Sequence, residues 1–140
     1  MKIVNRIALL LAAAIGTTGL YAQSMVVANV PFDFMVKGQT MPAGKYHVTR
    51  DFARPDILEI SNLDASRSVQ VVTYKATVTE PGAASPRMVF TQYGNRYFFS
   101  ELWTSDGVES RTNASKLERE LKASATPKKA PRITVAAVDN

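Results

Sequence analysis

Two stretches of alternating residues, 88–93 and 96–104, are separated by Gly94 and Asn95 alone. A two-residue connection leaves room only for a tight hairpin, and glycine in the first loop position suits a type II′ turn. In the simplest register Phe90 faces Phe99, Gln92 faces Tyr97 and Met88 faces Glu101. One face then carries Met88, Phe90, Tyr97, Phe99 and Trp103, the best core candidate in the chain. The other carries Val89, Tyr93, Phe98 and Leu102 beside Thr91 and Ser100. Both faces are partly apolar, so closure or a second sheet has to cover the outer one. A slip of one residue would exchange the two faces, which makes register the sensitive quantity.

Upstream, the same period of two recurs. Phe32, Phe34 and Val36 alternate with Asp33, Met35 and Lys37, and Pro31 marks an edge or a bend. Residues 38–44 (GQTMPAG) supply a reversal, with Pro42 fixing φ and Gly44 freeing it. Tyr46 and Val48 alternate with Lys45, His47 and Thr49; residues 57–60 follow, then a turn at 62–65 and a β-branched stretch at 68–78. Short strands spaced by turn signals predict an all-β, mainly antiparallel domain, a small β-sandwich or a partly open β-barrel.

Beyond Trp103 the pattern changes. Ser105, Asp106 and Gly107 form a turn, and Thr112 or Asn113 can cap one short C-terminal helix over about 113–123. Leu117 and Leu121 lie on one side of it, and such a short helix must dock them on the sheet. Residues 126–132 (TPKKAPR) read as an extended linker. The apolar stretch from Ile133 to Val138 is either a closing strand or a frayed end, and the frayed end is slightly favoured. The expected division is therefore 1–22, a β domain over 23–124, and a basic, proline-containing tail over 125–140.

The first segment is set apart by charge and length. Lys2 and Arg6 precede an unbroken apolar stretch from Ile7 to Ile15, the n-region and h-region of an export signal peptide. A membrane-spanning helix needs about 20 apolar residues, so no stable membrane anchor is expected after cleavage, which most simply follows Ala22. The chain contains no cysteine. A lipid-anchored form at the cut, a disulfide scaffold, a thiolate metal site and a cysteine nucleophile are all excluded. A periplasmic or secreted location follows. The basic excess is local: residues 23–110 carry 8 basic and 9 acidic side chains, and residues 111–140 carry 7 and 3. Such a basic end can meet an anionic envelope polymer. No aromatics interleave with its charges, so a nucleic-acid partner is not expected.

Little in the chain carries chemistry. His47 is the single histidine and shares a strand face with Lys45 and Thr49, so no histidine pair can hold a metal. There is no Gly-x-Ser-x-Gly elbow and no phosphate-cradling glycine loop, and no cofactor is expected. Glu101 breaks a local rule by falling among Met88, Phe99 and Trp103; a carboxylate there would have a raised pKa, as general acids do. It is the one weak catalytic candidate, with Asp33 or another carboxylate as partner. Tyr93, Tyr97, Phe98 and Trp103 could form a platform for a ligand or sugar.

The segments Val30-Pro31-Phe32-Asp33-Phe34, Met41 to Val48 (MPAGKYHV), Leu58 to Asn62 (LEISN), Phe90 to Gly94 (FTQYG), Phe98 to Trp103 (FFSELW) and Ser115 to Leu121 (SKLEREL) together resemble an uncharacterised family of small exported β-rich proteins, found mostly in Acidobacteria. The resemblance spans roughly residues 27–121 and implies an exported single domain. It brings no activity, cofactor or site residues with it. The expected function is a non-catalytic ligand-binding or envelope-associated module. The rivals are a small carboxylate-dependent hydrolase and a protein-interaction module that adds a strand to its partner.

Overall fold

The computed structural model describes residues 25–76, 85–125 and 129–139. The expected signal peptide lies outside them. The strands are β1 (Met25–Val30), β2 (Phe34–Val36), β3 (Gln39–Met41), β4 (Gly44–Arg50), β5 (Ile57–Asn62), β6 (Ser68–Ala76), β7 (Arg87–Tyr93), β8 (Arg96–Trp103), β9 (Glu109–Thr112) and β10 (Arg132–Asp139), with one helix, α1 (Lys116–Ser124), between the last two.

They form an all-β fold. Strands pair in the order β8-β7-β10-β1-β4-β5-β6-β9, and β9 returns to β8, so eight strands close into a barrel. Of the two expected architectures the sandwich is wrong, and the barrel is closed. The small hairpin β2–β3 lies outside the ring, joined to β8 by a parallel pairing of Met35 with Phe98. Closure satisfies the backbone edges that an open sheet would leave bare.

Alternation fills the barrel. Along β6, Val69, Val71 and Thr73 are buried while Gln70, Val72 and Tyr74 point out. Val26, Tyr46, Val48, Leu58, Ile60 and Met88 join the same core from the other strands. An interior of this strand number is just wide enough for side chains to fill it. Phe90 is its aromatic centre: Phe32 and Phe34 each lie 5.1 Å from its ring and Phe99 lies 6.0 Å away. At one end Arg50 points inward and donates to Ser110 Oγ at 2.7 Å and to the Pro55 carbonyl, and its burial holds the guanidinium below the usual arginine range.

The hairpin forms where expected, with Gly94 at φ +61°, the positive value its turn position requires. Phe90–Phe99 and Gln92–Tyr97 pair as predicted, but the register shifts at Val89/Phe90. Val89 then faces Glu101 and Met88 faces Leu102, leaving Ser100 as the extra residue of a β-bulge. Beyond the bulge the faces exchange. Leu102 enters the core, whereas Glu101 and Trp103 turn to the outer wall, so the expected placement of both among the core aromatics is corrected.

The C-terminal segment is also corrected. The stretch from Ile133 to Val138 is neither frayed nor part of a tail. β10 pairs with β7 from Arg132↔Thr91 to Ala136↔Arg87, and with β1 from Ala28↔Ala137 to Val26↔Asp139. Val135 is buried, with Ile133 and Ala137 packed against the core. The helix begins later than expected. Ser115, not Thr112 or Asn113, is its N-cap, accepting from the Glu118 backbone N–H at 3.2 Å.

Candidate functional site

The outer wall of β6, β9, β8, β7 and β10 carries a charged network that begins at the bulge. Ser100 and Glu101 both reach this side, where Thr91 and Ser100 share a hydrogen bond of 2.5 Å. Glu101 is 7% exposed and receives Arg111 from β9 at 3.7 Å and Arg132 from β10 at hydrogen-bonding distance. The Trp103 indole N–H donates to its other oxygen at 3.2 Å. Arg111 also binds Glu109, which is only 2% exposed. One guanidinium therefore serves two buried carboxylates. The bond from Glu109, with the charge of Glu101 adding to it, holds Arg111 above the usual arginine range. Arg87 covers the Trp103 ring at 4.3 Å.

Helix α1 stands over this wall and turns it into a groove of about 490 Å³. Tyr74 and Tyr93 stand at its sides, and Lys122, Lys129, Arg111 and Arg132 line it with Glu101 and Glu118. Leu117 and Leu121 are half-buried, but the buried residue of the helix is Glu118. Burial pushes its carboxyl above the usual glutamate range, against the opposing pull of the Ser115 contact and of Lys122. Burial first, and the Glu118 charge second, push the Tyr93 phenol up as well. A second cavity of about 660 Å³ continues the groove along the C-terminal half of α1, sharing Tyr93, Ala125, Lys129 and Ala130 with the first and adding Gln92, Asn95 and Arg96.

The four aromatics expected to make one platform are divided by the strand. Tyr93 lines the groove, and Phe98 is buried beside it with ring centroids 5.8 Å apart. Tyr97 lies on the other side, stacked on Phe32 at 4.0 Å. Trp103 is occupied by Arg87 and Glu101. Asp33, the suggested partner of Glu101, instead accepts the Ala43 backbone N–H at 2.8 Å and lines a separate hollow with Arg96 and Tyr97. His47 stays on a strand facing Val27 and Ser61. Among the described residues no group of His, Asp and Glu is placed to hold a metal ion.

The sequence reading missed Arg111, Arg132, Glu109 and Glu118. The available signal was the basic excess after residue 110, but its meaning depends on β10 being a strand. The chain matches no known family model, and neither the curated proteins nor the solved structures contain a significant match to it.

Proposed function

We propose that this protein is an exported, non-catalytic binding domain whose ligand lies in the groove between α1 and the barrel wall. One observation carries the reading: Glu101, the only carboxylate on the groove floor among the described residues, is saturated by Arg111, Arg132 and the Trp103 indole N–H. With both oxygens occupied, this carboxylate has none free to reach a substrate, but it is a good rigid support for the cations around it. The groove's volume falls within the range of about 300–1,000 Å³ typical of ligand sites. Export rests on the charged and apolar pattern of the first residues, and an anionic envelope polymer remains the natural class of partner for the basic lining. Strand addition through residues 133–138 is disfavoured, because β10 already pairs on both sides.

The hydrolase reading survives in one form. Glu118 lines the same groove as Glu101 and its carboxyl is pushed up by burial, as a general acid requires.

An amide-resolved NMR titration with glycans, lipids, metals and small acids tests the proposal. Shifts clustered at Tyr93, Ser100, Arg111 and Lys122 are expected for at least one class. Binders that move only residues elsewhere, or no binder at all, would overturn it. Turnover of chromogenic glycosides or esters that is lost in Glu118→Gln would establish the hydrolase instead.

A further inference from the structure

The groove is longer than one small molecule needs. Its two cavities, about 490 and 660 Å³, meet at Tyr93 and Lys129 and run from Tyr74 to the β7–β8 turn. A continuous trough of this kind suits an extended chain of several units. Its charges are uneven. Arg111 and Arg132 are committed to Glu101 and Glu109. Arg96, Lys122 and Lys129 make no ion pair with any described residue, and all three side chains are exposed along the trough. Among the described residues that line the trough, the carboxyl left to oppose them is the buried Glu118; Asp33 lies beyond Arg96 in the separate hollow and is taken up by the Ala43 backbone N–H. Between these cations stand groups that suit hydroxyls: the Thr91–Ser100 pair on the floor and the Asn95 amide at the far end. Tyr93 lines both cavities and is partly exposed, and the buried Phe98 meets it edge to face.

We propose that the ligand is an acidic oligosaccharide, its carboxylates held by Arg96, Lys122 and Lys129 and one of its sugar rings packed on Tyr93. The inference rests on the groove being the binding site, and it adds the chemical class. Free ammonium and guanidinium groups supply charge pairing without a dedicated cage, and an aromatic ring with polar neighbours is the usual surface for a sugar. A single-stranded nucleic acid would need a series of stacking rings, whereas this trough has Tyr93 at its centre and Tyr74 at one end. An acidic peptide would find the same cations but brings no sugar ring to lie against Tyr93 between its carboxylates.

The test is calorimetric titration of the purified protein with hexagalacturonate, beside maltohexaose, polyglutamate and oligothymidylate. Hexagalacturonate is expected to bind at least about tenfold more tightly than the other three. It should weaken by about the same factor in Lys122→Ala/Lys129→Ala and in Tyr93→Ala, and with rising salt. Those side chains are exposed or partly so, and an unchanged melting temperature shows that the variants are folded. Equal affinity for maltohexaose, with the lysine variant unaffected, would overturn the acidic class while leaving the groove as the site. Equal or tighter binding of polyglutamate or oligothymidylate would overturn the sugar. Failure of hexagalacturonate to bind would overturn the inference, and the groove itself falls only if the broader NMR titration also leaves its amides unmoved.

Discussion

Arg132, on the last strand, reaches across β7 to pair with Glu101 of β8. This contact joins the end of the chain to the floor of the groove, and it exists only because β10 is built into the barrel. The segment expected to be a basic tail is instead structural.

Truncation after Ser124 is therefore expected to abolish cooperative unfolding. It removes the partner of both β1 and β7, opens the barrel, and exposes the surface beneath Val135. Circular dichroism melts of the truncated and full chains check this; a sharp transition in the truncated chain would show that β10 is dispensable.

Arg111 and Glu101 are expected to differ in cost. Arg111→Ala leaves Glu101 and Glu109 buried near each other with Arg132 as the remaining cation, an arrangement that costs about 2–3 kcal/mol after allowance for its 43% exposed side chain. Glu101→Gln keeps the shape and an acceptor, and costs about 1–2 kcal/mol. Urea denaturation of the two variants gives the order, which the network account requires to have Arg111→Ala as the weaker protein.

Phe90→Ala should be close to the limit of what the fold tolerates. The ring is fully buried among Phe32, Phe34 and Phe99, and the cavity left behind costs about 3–5 kcal/mol, against a total stability of about 5–15 kcal/mol for a domain. Tyr46→Phe removes only the phenol's hydrogen bond to the Pro42 carbonyl, for about 1 kcal/mol. Thermal melts should place the two variants far apart.

Glu118 gives the protein a pH dependence. Its folded pKa is raised, chiefly by burial, so the folded state holds its proton to higher pH than the unfolded chain does. Stability from this group is greatest at low pH and declines as pH rises from the usual glutamate value through the raised one. Lys122 on its own helix and Tyr93 on β7 are the titratable groups that interact with it most directly. Glu118→Gln is expected to melt above the unaltered protein at neutral pH and to match it in acid. A constant difference across the pH range would mean that Glu118 is not titrating in this way.

The local chemistry of this chain is legible in its residues. Alternation placed the strands around Phe34, Tyr46, Val48 and Val71. The Gly94-Asn95 pair fixed the hairpin, because a positive φ in a two-residue loop is a local requirement. Closure was not legible, since the β8–β9 and β10–β1 ladders join residues far apart in sequence, and no short-range pattern chooses between pairing and fraying. The bulge at Ser100 was hidden for a related reason: one extra residue changes which side chains face inward only when a partner strand continues past it. Glu101 thus looked like a misplaced core carboxylate, and the tertiary structure made it the paired floor of a groove by turning it outward and bringing Arg111 and Arg132 to it. The sequence by itself located the strands that alternate clearly and the turns between them, but not β3, β9 or β10, which are short or gain their identity from distant partners; the barrel, by pairing distant strands, decided which residues would meet.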